Sequence, residues 1–357
     1  DSLGLQGIAS PLWSAGVKGL FLTLMTAPEI QRDSLVRRIY DINEKDFEGV
    51  AMDVWKYQYV FNPLYRSYCD LLKIGPDQVH SSADIPYLPI VMFREHEVRT
   101  SNWDPEKIFR SSGTTGSIQS RHLVRELNWY HKVCRKCFQV PFDKPEQYAW
   151  IGLLPSYLER TDSSLVAMVH HFMESSKHSE NRFFPQISEE IITSLKLLQQ
   201  TNKPTILIGV SFALIDLFAR TDVSVWDNLL VIETGGMKGR GREITRDELY
   251  QQIRLHHSGL RIVSEYGMTE LLSQAYRMDG HFHSGPTMRV YMRDISDPLR
   301  MIGDGQRGVI NVIDLANIDT CAFIATDDIG IAYPDGGFDV LGRLDNSDLR
   351  GCNLLYV

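Results

Sequence analysis

From residue 105 onward, short apolar runs alternate with longer segments whose apolar positions recur at helical spacing. Residues 149–154, 205–210, 229–232, 260–263 and 308–315 have the length and apolar content of buried strands. Residues 188–200, 212–220 and 246–257 read as helices between them. Alternation of this kind predicts an α/β domain with largely parallel pairing. Roughly the last fifty residues carry closely spaced Gly and Asp among short apolar runs, which predicts a small β region.

Upstream, residues 33–72 follow a helical pattern rich in aromatics: Trp55, Tyr57, Tyr59, Phe61, Tyr65 and Tyr68. Pro63 interrupts it, so two helices are expected, joined near Phe61–Pro63. A Pro-, Asp- and Ser-rich loop follows, then an apolar segment over 87–93. These aromatics are expected to be core.

Residues 1–24 mix apolar residues with Gly and Ser and are broken by Lys18. No stretch there reaches the ~20 apolar residues of a membrane span. A signal peptide begins with basic residues, whereas this segment begins with Asp1. Met25 reads as a natural start, so 1–24 is expected to be an upstream or added extension. The organisation expected beyond it is a helical region over 25–104, packed on a core over 105–357. The absence of a targeting signal makes the cytoplasm the default expectation.

Composition changes the picture little, with 43% hydrophobic and 23% charged residues, as in ordinary globular proteins. The net charge of −8 and the lack of basic runs set a nucleic-acid partner aside. Five cysteines in 357 residues are not a disulfide framework. Cys134 and Cys137 form a C-x-x-C with no second ligand pair, and read as two thiols on one helical face.

Candidate chemistry begins at Ser111-Ser112-Gly113-Thr114-Thr115-Gly116. Its glycines permit tight turns that aim several amide N–H groups into one concavity, and its hydroxyls add donors. That combination suits phosphate oxygens, although no Gly-Lys-Ser/Thr follows as in a Walker loop. The second piece is Ser264-Glu265-Tyr266-Gly267-Met268-Thr269-Glu270, at the carboxyl end of the 260–263 strand, where open α/β sheets bind ligands. Tyr266 offers a flat face for a purine, Thr269 a donor to phosphate, and Glu270 a hard oxygen ligand for Mg2+. Thr326-Asp327-Asp328-Ile329-Gly330 supplies acceptors for a ribose diol, and Gly342-Arg343-Leu344-Asp345 follows.

In this order and spacing, these segments resemble the adenylate-forming superfamily of acyl-CoA synthetases, luciferases and peptide-synthetase adenylation domains. The resemblance implies the large adenylation domain of that superfamily, with ATP and Mg2+ as cofactors. It implies that Ser111, Ser112, Gly113, Thr114, Thr115 and Gly116 form the phosphate loop. It also implies adenine stacking by Tyr266 beside Gly267, magnesium at Glu270 and ribose contacts from Asp328 and Arg343. Gly235-Gly236 matches the Gly-rich segment beside adenine and the acyl group. The usual Pro-Lys-Gly after the loop is replaced by Ser117-Ile118-Gln119-Ser120-Arg121, so Arg121 or His122 is expected to carry the lysine's charge. The superfamily's mobile C-terminal domain, with its catalytic lysine, is expected to be missing beyond the hinge near Asp345.

One branch fits better still. Arg350-Gly351-Cys352-Asn353-Leu354-Leu355, Tyr59-Val60-Phe61-Asn62-Pro63-Leu64-Tyr65 and Ile85-Pro86-Tyr87-Leu88-Pro89-Ile90 resemble LuxE-type acyl-protein synthetases. That resemblance implies activation of a long-chain fatty acid, transfer of the acyl group to Cys352, and delivery to a partner reductase. A thiolate is a good nucleophile toward a mixed anhydride, and Arg350 is a nearby positive charge. Competing expectations are an acyl- or aryl-CoA ligase of the phenylacetate type and a non-catalytic nucleotide-binding subunit. Val210, Ser211 and Phe212, at a strand end, are candidates for the acyl pocket. Residues 155–164 are expected to shape the site. His170-His171 are expected on a helix, either facing that pocket or serving structure, and His281 and His283 in a hairpin.

Overall fold

A computed structural model describes residues 28–112, 118–155, 161–220, 227–235, 245–256 and 259–344. The expected extension over 1–24, Gly236, and Cys352 with its neighbours lie outside the described residues.

Among the described residues the strands form a thirteen-stranded mixed sheet and a separate two-stranded hairpin. One half of the sheet is parallel, in the order Arg261–Tyr266, Leu229–Glu233, Thr205–Gly209, Ala149–Leu153 and Arg182–Phe184. Ala149–Leu153, Thr205–Gly209 and Leu229–Glu233 are buried along their whole length, which is why they read as uninterrupted apolar runs. Their side chains alternate between two cores. Trp150, Ile206, Ile208, Leu230 and Ile232 face one, together with helices Leu127–Phe138 and Ser164–Ser176. Ala149, Ile151, Leu153, Leu207 and Val231 face the other, against helices Glu189–Gln200, Ser211–Arg220 and Arg246–His256. The α/β expectation is met, and the five predicted strands and three predicted helices fall within a few residues of their expected places.

The small β region expected at the end is not a separate layer. Ala275–Met278 pairs antiparallel with Arg261–Tyr266, and the sheet continues through His281–Ser284, Phe338–Arg343, Phe323–Ala332, Arg307–Asp314, Met288–Arg293 and Met301–Ile302. The 87–93 segment divides into a short strand, Leu88–Pro89, parallel to Phe323–Ala332, and a helical turn, Met92–Glu95.

Near the N-terminus, the expected break falls at Asn62. Its backbone N–H closes the helix Phe47–Phe61 on Gln58, and its side chain caps Pro63–Leu71 by accepting from the Tyr65 N–H at 3.0 Å. Helix Pro28–Tyr40 precedes them. These helices grip the loop after Arg307–Asp314. Gln58 donates to the Asn317 and Ile318 carbonyls and accepts from the Ala322 N–H, Asn62 donates to the Thr320 carbonyl, and Arg32 makes a two-toothed contact with Asp319.

Candidate active site

The hydroxyl-rich segment lies in the chain between the two strands of the hairpin Lys107–Arg110/Arg121–Val124. Ser111 and Ser120 close its neck: the Ser111 N–H donates to the Ser120 carbonyl at 3.1 Å, and the Ser120 N–H to Ser111 Oγ at 3.0 Å. Ser112 follows, while Gly113, Thr114, Thr115 and Gly116 lie outside the described residues. His122 does not meet the expectation of a charge beside this loop. Its ring is fully buried, and burial lowers its pKa to about 4, so it is neutral at pH 7. Arg121 is exposed and opposes Arg110 in the hairpin.

The strand before the second motif is longer than its apolar run indicates. It reaches Tyr266, and Glu265 and Tyr266 pair with Tyr276 and Ala275. Gly267, just beyond, passes so close to Glu265 that a Cβ there would collide with its carboxylate. Tyr266 is only 6% exposed, with its ring packed against Phe282 and Phe338, which stack on each other. It therefore presents no open face to a purine in this structure. Its hydroxyl instead donates to Asp328 Oδ2 at 2.9 Å.

Asp328 stands opposite Arg343 on the neighbouring strand, and Arg343 Nε donates to Asp328 Oδ1 at 3.0 Å. Glu270 is 6% exposed. Burial raises its pKa, while a hydrogen bond with the Ser120 side chain and the charge of Arg343 act in the opposite direction. The fold thus gathers Tyr266, Glu270, Asp328 and Arg343 beside the neck of the hydroxyl-rich loop. The arrangement offers two carboxyl groups, a guanidinium and the Ser120 hydroxyl around one place, a set suited to a nucleotide and its counter-ion. Among the described residues no three His, Cys, Asp or Glu side chains cluster as a metal cage. Thr269 enters the site through its backbone, its carbonyl meeting His122 Nδ1 at 2.8 Å.

A second polar cluster sits at the ends of the parallel strands, built on Glu233 and Tyr250, which sequence reasoning missed. Glu233 Oε1 accepts from Ser211 Oγ and from the Gly235 N–H, both at 2.5 Å, and Oε2 accepts from Ser264 Oγ at 2.6 Å. Tyr250 donates in turn to Ser264, whose own proton is engaged, at 2.8 Å. Burial and the charge of Glu233 push the Glu265 carboxyl up to about 8. The one available signal was a charged residue ending an apolar run at 229–232. Of the acyl-pocket candidates, Ser211 is engaged by Glu233, Val210 is buried in the core, and Phe212 packs partly buried against the same core. Gly235 adopts φ +77°, a left-handed conformation that favours glycine.

Cys69, Cys134, Cys137 and Cys321 are all buried free thiols. Burial raises every one, Cys69 and Cys137 to about 12, so none is a thiolate at neutral pH. Cys134 and Cys137 share the buried face of Leu127–Phe138, as expected. His170 is exposed, 3.4 Å from Glu174, and His171 stacks on His131 at 4.0 Å. His281 and His283 lie in a hairpin, with His281 3.1 Å from Asp339. Among the described residues no helix is long and apolar enough to cross a membrane.

The architecture is that of the adenylate-forming enzymes. A solved structure of 2-hydroxyisobutyryl-CoA ligase, with 2-HIB-AMP and CoA, superimposes with a TM-score of 0.61 at 14% identity, over 90% of this chain and 70% of that one. The family model described as acyl-protein synthetase, LuxE, matches residues 33–356, and the chain belongs to that family. Two relatives bear the name long-chain-fatty-acid–luciferin-component ligase. The one from Vibrio harveyi is 24% identical over 330 residues, covering 84% of each chain. The one from Aliivibrio fischeri is 22% identical over 338 residues, covering 86% of each. Membership makes this chain an enzyme that activates an acid by adenylation.

Proposed function

We propose that this enzyme uses Mg·ATP to convert a long-chain fatty acid to its acyl-AMP, passes the acyl group to its own Cys352, and delivers it to a partner reductase. In the first step a carboxylate oxygen of the acid attacks the α-phosphorus of ATP and pyrophosphate leaves. Positioning and charge neutralisation do the work there, rather than acid–base catalysis. The Ser111–Gly116 loop would hold the departing phosphates, Thr269 would donate to a phosphate oxygen, and Asp328 and Arg343 would flank the ribose. Tyr266, Gly235 and Gly236 would border the adenine, with Tyr266 turning its ring away from Phe282 and Phe338.

Glu270 fits a magnesium ligand. Its carboxylate is buried, so a cation beside it offsets the cost of burying the charge, and Mg2+ is commonly held by one or two carboxylates plus phosphates. Magnesium supplies charge neutralisation for the phosphates when bound. In the second step the Cys352 thiolate attacks the acyl-AMP carbonyl and AMP leaves, conserving the activation as a thioester.

The observation that carries this reading is the meeting of Glu270, Asp328 and Arg343 beside the Ser111–Ser120 neck. The acceptor assignment draws on a second one. The other four of the chain's five cysteines are buried and held as thiols. The names of the Vibrio and Aliivibrio relatives support the fatty acid. Intact-protein mass after incubation with Mg·ATP and a panel of fatty and aromatic acids, followed by hydroxylamine, tests it. A hydroxylamine-labile acyl adduct is expected, and Cys352→Ala should lose it while keeping ATP–pyrophosphate exchange. An adduct surviving in Cys352→Ala would overturn the acceptor assignment. AMP release without any adduct would point to a diffusible thiol such as CoA.

A further inference from the structure

The backbone that presents Thr269 and Glu270 is held by side chains distant in sequence. His122 Nδ1 lies 2.8 Å from the Thr269 carbonyl oxygen, and Asn317 Nδ2 donates to the Glu270 carbonyl oxygen at 2.8 Å. Two successive carbonyls are therefore held from opposite parts of the chain. The two peptide planes that flank the Glu270 Cα are thereby oriented, and the direction of the Glu270 side chain depends on them. Just downstream, Asp314 accepts from the N–H groups of Leu272 and Ser273 at 2.8 and 2.9 Å.

The geometry also dictates the form of the imidazole. A carbonyl only accepts, so Nδ1 carries the proton. Nε2 is then a lone-pair nitrogen, which accepts from Thr320 Oγ1 at 3.1 Å. His122 is fully buried, edge-on to Phe93. It lies in the strand that leaves the hydroxyl-rich loop, two residues after Ser120, whose side chain is hydrogen-bonded to Glu270.

We infer that His122, with Asn317, is a positioning residue that couples Ser120, at the neck of the hydroxyl-rich loop, to the Thr269–Glu270 segment, so that Glu270 is held in register for its metal ion. Neither residue touches the reacting atoms. The inference rests on the adenylation reading, because it assigns Glu270 the metal. It departs from the plain alternative, in which His122 only fills space in the core. Filling space needs volume, whereas positioning needs a donor at the Nδ1 position.

Two substitutions separate these roles. His122→Asn keeps an N–H donor near the position of Nδ1 but loses more volume than His122→Leu, which keeps volume and has no donor. ATP–pyrophosphate exchange as a function of Mg2+, alongside melting temperature, is the measurement. His122→Leu is expected to raise half-saturating Mg2+ about 10- to 100-fold, the range typical for losing a partner that orients a metal ligand. His122→Asn should recover most of that loss although it melts no higher. If the two variants instead rank by melting temperature alone, or His122→Leu leaves the Mg2+ dependence unchanged, His122 is a core residue and the inference falls.

A wild-type protein inactive with every acid would sink the adenylation reading instead. The tautomer is then decided without turnover by 15N NMR of histidine-labelled protein, with His122→Asn assigning the signal. An Nδ1–H imidazole upholds the contact to Thr269, and an Nε2–H imidazole breaks it.

Discussion

Arg343 reaches across two antiparallel strands to donate from Nε to Asp328 Oδ1 at 3.0 Å, and Asp328 spends its other oxygen on the Tyr266 hydroxyl. One carboxylate therefore ties the end of a parallel strand to the last described strand of the sheet. Three of the residues expected to surround the nucleoside meet at this point, although they come from 266, 328 and 343 in the chain.

Asp328→Asn tests that tie. An amide can accept from only one of its two partners and must turn a donor toward the other. The loss of a charge-assisted bond is expected to raise the KM for ATP about tenfold or more. Exchange kinetics at varied ATP would check it, and an unchanged KM would remove Asp328 from the nucleotide site.

Glu270→Gln should separate stability from activity. Burial already disfavours the ionised carboxyl, so an uncharged amide in its place is expected to leave the melting temperature equal or higher. Exchange should fall by about 100-fold or more, because charge neutralisation is lost where it develops. A variant that melts normally and exchanges normally would exclude Glu270 from the mechanism.

Glu265 gives a pH signature. Its carboxyl is pushed up to about 8 from an ordinary 4.5 by burial and by the charge of Glu233. The folded protein thus keeps a proton that the unfolded chain releases above about 4.5. That stabilisation is complete below 4.5 and disappears as pH rises through about 8, with a slope of at most about 1.4 kcal/mol per pH unit. Melting curves at pH 6 and pH 9 should show a smaller loss for Glu265→Gln than for wild type. Parallel losses would mean that Glu265 titrates normally.

Asp319→Asn probes the clamp between helix Pro28–Tyr40 and the loop that carries Asn317 and Thr320. Arg32 is buried and holds Asp319 through Nε at 2.6 Å and Nη2 at 2.7 Å, with Glu126 also 2.7 Å away. Removing Asp319 leaves the buried Arg32 charge beside the half-exposed Glu126, at an expected cost of about 3 kcal/mol. Urea denaturation would read it as a lower midpoint at unchanged slope. A change under 1 kcal/mol, about the worth of an exposed pair, would show that Glu126 alone suffices.

The sequence by itself determined the buried strands and the helices between them in the parallel half of the sheet, and it named the residue types gathered at the site. Strands such as Thr205–Gly209 are buried on both faces, so their composition announces them without knowledge of their neighbours. Pro63 marks a helix boundary through local effects on the chain, which Asn62 completes as a cap. The motifs around Ser112, Glu270, Asp328 and Arg343 were legible because each is a short run with its own chemistry.

Tertiary structure alone decided which of those groups meet and in what state. His122 and Thr269 are separated by 147 positions, and Gln58 and Ala322 by 264. Such contacts follow from strand order and register, which the packing of the whole core sets. The same holds for charge and exposure. His122 is neutral because Phe93, Thr269 and Thr320 close over it from other parts of the chain, and Tyr266 is covered because Phe282 and Phe338 arrive from other strands. A residue's type is written in the chain, but its solvent, its partners and its proton are supplied by residues far along it.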